Sequence, residues 1–301
     1  MRITDRILQN NFLINMNENK KRLEKLQRQI ETHQKILYPS DDPHATGKIL
    51  RLQNQIQDNE VYIKNIDNTL GFVQASEDVL RAIHDDIQRF LEWVPDLTNP
   101  NYFQQHQNFA KKIDLLISSL IDSSNKQYDG KYILGGTDFA TKPYGFADTG
   151  DPNIRRVEIK TSSVAGEQTI RISSSLTQKV NITGEELFGD LDGNDVFNTL
   201  IRISNTLKNG APPSLDDIRI IENFEKHLLN KISDLGNIAN QLSFTRETLY
   251  TINQELRSLL SDEKDTDVAA AMIELQGYQF NLDVSYKVAS MIIPNSLVNY
   301  L

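Results

Sequence analysis

From Ile49 onward, apolar residues recur every seven positions on two interleaved series, and no other feature of the chain restricts its fold as strongly. Ile49, Ile56, Ile63, Leu70 and Leu91 form one series, and Leu52, Ile66, Val73, Leu80, Ile87 and Val94 the other, with Asn59, Glu77 and His84 as the interruptions. A stripe at period 3.5 is a narrow seam that a straight helix cannot keep against one partner, so it predicts supercoiled helices. The predicted helix is roughly 70 Å long at 1.5 Å per residue. Asp41 and Asp42 supply cap oxygens at its start, and Pro43 fits the first turn.

The other end of the chain repeats the pattern. Leu228, Ile232, Leu235, Ala239, Leu242, Leu249, Leu256 and Leu260 keep the spacing, with Arg246 and Asn253 as polar seam positions. A last segment reads Val268, Met272, Leu275, Leu282, Tyr286, Ala289 and Ile293, with Gln279 in phase, and Pro294 ends it. The first segment follows with Met16, Leu23, Leu26, Ile30 and Leu37, broken at His33. Helices at both ends of one chain predict that those ends meet. Charge agrees: residues 1–37 hold eight Lys or Arg against four Asp or Glu, and residues 262–301 hold two against six.

Between the helical segments the pattern changes. Pro95 to Pro100 marks a break after a helix over 43–94, and a further helix is predicted over 103–128. Asp129-Gly130 and Gly135-Gly136 then bracket Lys131 to Leu134 as a short strand. Val157–Lys160, Thr169–Ile172 and Lys179–Ile182 alternate as three half-buried antiparallel strands. Helix resumes near Asp195, pauses at Gly210 to Pro213, and restarts with Asp216 and Asp217 near its N-terminus. The fold class is mainly α: a long helical coiled-coil bundle made by the N- and C-terminal segments, with a small inserted antiparallel β domain.

Nothing in the chain supports catalysis. A net charge of −9 argues against a nucleic-acid scaffold, which carries a basic face. With no Cys there is no disulfide or thiolate site, and the five His have no metal-ligand spacing. Gly130-Lys131 lacks the rest of a phosphate-binding loop, and Gly135-Gly136 reads as a turn. Asp262, Glu263, Asp265 and Asp267 lack the alternation of a calcium loop and read as a hinge or helix start. Trp93 reads as a packing residue. The longest apolar stretch, Val268 to Ile273, is too short to span a bilayer. No enzyme activity, cofactor, metal, nucleic acid or membrane partner is expected.

Four segments in chain order carry a resemblance. They are Ser40-Asp41-Asp42-Pro43 running into Ala45 and the Ile49 heptads, Gly130-Lys131-Tyr132-Ile133-Leu134-Gly135-Gly136-Thr137, Val180-Asn181-Ile182-Thr183-Gly184 running into Leu187-Phe188-Gly189, and the closing Leu297-Val298-Asn299-Tyr300-Leu301. Together with the helical frame they resemble the flagellin-like hook-associated proteins, the hook–filament junction proteins of bacterial flagella, over essentially the whole chain. Flagellin is the nearest rival reading, and a soluble coiled-coil adaptor is the alternative from another class.

The resemblance implies terminal helices over 1–39 and 264–301 that pair into an inner coiled coil, a helical rod over 40–139 and 190–263, and a β-rich outer domain over 140–189. It implies an assembly interface on the terminal helices, at Met16, Leu23, Leu26, Ile30, Met272, Leu275, Leu282, Tyr286 and Ile293. Leu275, Leu282 and Ile293 would also meet an export chaperone. The implied partners are a ring of copies of itself, the first hook–filament junction protein, flagellin and that chaperone. The implied location is the extracellular flagellum, reached through the flagellar type III apparatus.

Overall fold

Asp42 starts the longest helix of the molecule. Its Oδ1 accepts hydrogen bonds from the backbone N–H groups of His44 (3.0 Å) and Ala45 (2.9 Å), with Pro43 in the first turn where no N–H is needed. The structure, a computed structural model, describes residues 2–99, 104–138, 140–148, 155–161, 164–189, 191 and 193–292. In chain order the elements are α1 (Arg2–Thr32), α2 (Pro43–Thr98), α3 (His106–Ser124), β1 (Gln127–Tyr128), β2 (Lys131–Tyr132), β3 (Tyr144–Phe146), β4 (Val157–Ile159), β5 (Thr169–Arg171), β6 (Thr177–Lys179), α4 (Gly184–Phe188), α5 (Val196–Lys208), α6 (Leu215–Lys264) and α7 (Val268–Ile292). They form two compact units: Met1–Asp58 with Thr251–Leu301, and Asn59–Tyr250. The division falls inside α2 and α6, each of which contributes to both units.

In the second unit α2 buries Ile63, Ile66, Val73, Leu80 and Ile87 on the expected seam. Ile83, Phe90 and Leu97, a third series at seven-residue spacing, are completely buried as well. The apolar face there is therefore wider than a coiled-coil seam, because α2 belongs to a core shared with α3, α5, α6 and the hairpins. The helix also runs through Pro95 to Thr98 where a break was expected. A proline removes only one hydrogen bond, and buried Leu97 anchors the last turn beyond it. α6 buries Leu228, Leu235, Leu242 and Leu249 in the same core. Seam residue Arg246 turns its guanidinium to Asp67 of α2 at 3.1 Å.

Polar ties fix α5. Asp114 of α3 accepts from Ser204 Oγ (2.8 Å) and pairs with Lys208 (2.8 Å), and Arg202 grips Asp217, in the first turn of α6, at 2.7 and 2.9 Å. Ser214 opens α6, its Oγ accepting from the N–H of Asp216.

The strands of the β segment form three separate antiparallel pairs, β1-β2, β3-β4 and β5-β6. The third predicted strand is displaced to Thr177–Lys179; the Val180 N–H still donates to the Gln168 carbonyl (3.0 Å), and Val180 and Ile182 are buried beyond the strand. The reason is that Tyr144, Val157, Val164, Ile172, Val180 and Ile182 all join the helical core, so these hairpins lie against helices and have no sheet partners of their own. The β1-β2 turn has the predicted chemistry, with Asp129 and Gly130 both at positive φ (51° and 73°), the type I′ signature of a two-residue hairpin.

A short helix that the sequence reading passed over, α4, locks this packing. Thr183 accepts from the N–H of Glu186 while the Glu186 carboxylate accepts from the N–H of Thr183, a capping box. Gly184 follows because a Cβ there would overlap the Tyr144 hydroxyl and a Val164 methyl, and would sit 2.9 Å from the Leu134 carbonyl. Gly189 ends the helix at φ 69°. Tyr144 lies against Phe188 (centroids 5.2 Å apart) and Phe197 (5.8 Å), and burial pushes its phenol pKa up. Its hydroxyl has no partner among the described residues. We expect Gly184→Ala to cost about 1–3 kcal/mol in urea unfolding through overpacking. Tyr144→Phe, which removes only an unsatisfied buried oxygen, is expected to leave stability unchanged or slightly raised.

Candidate assembly interface

The first unit is built around α1 and α7, which pair antiparallel. Lys35 N–H donates to the Lys264 carbonyl (2.7 Å), Thr266 N–H to the His33 carbonyl (3.1 Å), and Arg22 Nη1 to the Tyr278 hydroxyl (3.3 Å). Asp267 caps α7, accepting from the N–H groups of Ala269 and Ala270 at 3.0 Å each. The acidic cluster is thus the corner between α6 and α7, the hinge and helix start its composition suggested.

On α1 the covered positions are Phe12, Met16, Asn19, Leu23, Leu26, Gln29 and Ile30, so Met16, Leu23, Leu26 and Ile30 lie on the α1–α7 seam. On α7 they are Val268, Ala271, Leu275, Tyr278, Leu282, Ser285, Val288 and Ala289, a three-four alternation with Val288 added beside it. Leu275 and Leu282 lie on this seam. Met272 and Tyr286 lie off it, 51% and 52% exposed, and the seam takes Ala271, Tyr278 and Ser285 one residue earlier than the heptad series. The cause is α1, which approaches over the small side chain of Ala271 and satisfies the Tyr278 hydroxyl through Arg22. Ile293 lies outside the described residues.

The seam is incomplete as a core. Ala271 at 6% and Leu26 at 9% are its least exposed residues, whereas the second unit buries many side chains completely. α7 is also apolar away from α1. Ile273 (72% exposed), Phe280 (68%) and Val284 recur at i, i+7 and i+11, and Met272 and Tyr286 add a further face. On α1, Ile7, Leu13 and Ile14 are exposed as well. A helix that is apolar on several sides is one that is covered on several sides in its working state. The i, i+7, i+11 spacing of Ile273, Phe280 and Val284 is a signal in the sequence, running beside the single heptad seam.

Ion pairs tie the base of the unit. Lys25 meets Asp41 at 3.2 Å and Lys48 meets Glu263. Hydrogen bonding to Lys25 holds the Asp41 carboxyl below its usual range, and hydrogen bonding to Lys48 does the same for Glu263. Depressed carboxylate pKa values mean stabilisation that is complete above the unfolded values and lost as pH falls through the folded ones. No group of three or more metal-ligating side chains is assembled among the described residues, and no described helix is long and apolar enough to cross a membrane.

Comparison with known proteins agrees with this architecture. Residues 3–138 match the bacterial flagellin N-terminal helical region. The chain is 23% identical over 250 residues to a flagellar filament 30.7 kDa core protein of Treponema maltophilum, covering 81% of this chain and 79% of that one. It is 23% identical over 291 residues to flagellar hook-associated protein 3 of Escherichia coli, covering 86% of each. It shares the fold of flagellar hook-associated protein 3 from Legionella pneumophila, at a TM-score of 0.62 and 14% identity, over 71% of this chain and 98% of the other. The chain is mainly helical with small antiparallel strand pairs, and its residues 3–138 are similar to the flagellin N-terminal helical region. It is similar to hook-associated protein 3 across most of its length.

Two measurements check the interface. Carboxyl 13C titration is expected to give midpoints below 3.8 for Asp41 and below 4.5 for Glu263. Ile273→Ser with Phe280→Ser is expected to change the unfolding free energy of the monomer by less than about 0.5 kcal/mol per site, as for exposed positions generally, while blocking self-association in light scattering.

Proposed function

We propose that this chain forms the junction layer between hook and filament of a bacterial flagellum, adapting one lattice to the other as a ring of its own copies. The observation that carries the reading is α7, whose apolar residues exceed what α1 alone covers. Burial of those faces against neighbouring subunits would supply about 25 cal/mol per Å² of apolar surface. The similarity to hook-associated protein 3 over 86% of each chain supports the junction role in particular. Similarity to filament core proteins of Treponema maltophilum favours a second reading, in which the chain is itself a filament subunit.

In the junction reading the neighbours are the first hook–filament junction protein on one side and flagellin on the other. The chain leaves the cell through the flagellar export apparatus and works outside it. Before export, a chaperone covers the α7 side chains around Leu275 and Leu282. No enzymatic step is involved, and the work is done by surfaces.

A deletion strain separates the two readings. Loss of a junction layer is expected to release unassembled flagellin into the medium with hooks still present, and loss of a filament subunit to leave no such pool. Leu275→Asp with Leu282→Asp is expected to abolish motility while circular dichroism of the purified protein keeps the signal of the second unit. Normal swimming by that variant would defeat the proposal.

A further inference from the structure

The first unit carries a groove of about 190 Å³ lined by Lys21, Glu24, Lys25, Arg28, Leu37, Tyr38 and Asp41. Three cations face two carboxylates there. Lys25 is engaged by Asp41 and Arg28 donates to the Tyr38 hydroxyl at 2.9 Å, but Lys21 stands exposed with no ion-pair partner among the described residues. The i, i+4, i+7 spacing of Lys21, Lys25 and Arg28 sets them on one stripe of α1, on the side away from the Leu23–Leu26–Ile30 seam.

The complementary charge lies on the same unit. The α6–α7 corner exposes Asp262, Asp265 and Asp267, with Lys264 among them and Lys48 and Lys35 drawn to the neighbouring Glu263. The backbone hydrogen bonds from Lys35 to Lys264 and from Thr266 to His33 hold this corner level with residues 33–35, five residues beyond Arg28. At 1.5 Å per residue the offset from corner to the end of the basic stripe is about 8 Å along the helix axis. Groove and corner thus sit at nearly one height on one unit. A lateral contact between unlike surfaces at one height repeats from copy to copy, closing a ring or continuing a shallow helix.

We propose that the basic groove on α1 of one copy receives the acidic α6–α7 corner of the next, and that this charge pairing sets the lateral register of the assembly while the apolar faces of α7 supply the adhesion. The proposal deepens the reading of the chain as a self-assembling flagellar subunit and rests on it for the identity of the partner. Opposite charges at a contact rim act chiefly on register and encounter, and like charges there are strongly unfavourable. Charge reversal is therefore the informative change.

The full chain is followed by sedimentation velocity across a range of sodium chloride concentrations. Wild-type association is expected to weaken as salt rises. Lys21→Glu with Arg28→Glu, and separately Asp262→Lys with Asp265→Lys, are each expected to weaken it by about tenfold or more at low salt. Combining the four changes in one chain is expected to restore association to within about threefold of wild type, since the contact then exists with its signs exchanged. Asp267 is left in place because it caps α7. Asp262→Lys alone, with Lys21→Glu as its complement, repeats the test without disturbing the Asp265 bond to Ser261. Reversals without effect, a failure of the combined chain to recover, or a wild-type chain that does not associate at low salt would each overturn the contact. Failure of the flagellar reading would appear elsewhere: a charge-dependent association in a chain whose deletion leaves swimming intact refutes that role and leaves the contact standing.

Discussion

The antiparallel pairing of α1 with α7 is the constraint on which the first unit depends. It joins residues more than 250 positions apart, as Arg22 and Tyr278 are, with few deeply buried side chains. Small seam residues such as Ala271 and Ser285 let the helices approach but bury little area, and the larger apolar residues of α7 point elsewhere. Helix pairs of this kind draw most of their stability from tertiary packing rather than from propensity. A pair that leaves Phe280 and Ile273 in water is accordingly only partly packed as a single copy.

The second unit is organised differently. Its α2 is enclosed on three seven-residue series, its hairpins lie on the helices, and polar groups are consumed in local ties such as Asp114 with Ser204 and Lys208. Asn125 shows how thoroughly the backbone is satisfied: its side chain accepts from the Tyr144 N–H and donates to the Tyr144 carbonyl, standing in for a missing strand. This unit holds nearly all of the fully buried side chains, in contrast with the α1–α7 pair, where only Leu26 and Ala271 are buried among the described residues.

Much of this organisation was legible in the residues. The heptads of α2 and α6 are written in Ile and Leu, and the Asp42-Pro43 start follows from cap chemistry. What escaped had physical causes. That the α7 seam lies one residue before Met272 and Tyr286 escaped because hydrophobicity marks apolar faces without saying which one an intramolecular neighbour will take, and α7 has several. The two-by-two pairing of the strands was not legible, because alternation in short segments reports half-burial and is silent on whether the covering layer is strand or helix. The α4 helix was announced by Thr183 and Glu186, three apart, but is only one turn long and has no periodicity to detect.

The pairing of the two ends also has a consequence in time. A ribosome releases α1 first and α7 last, so residues such as Leu23 and Leu26 wait for their partner through nearly the whole of synthesis. Contacts of such sequence separation form late and slowly. The second unit, by contrast, can close as soon as Leu249 emerges, and while the last residues are made the newborn chain is a finished middle with a loose beginning.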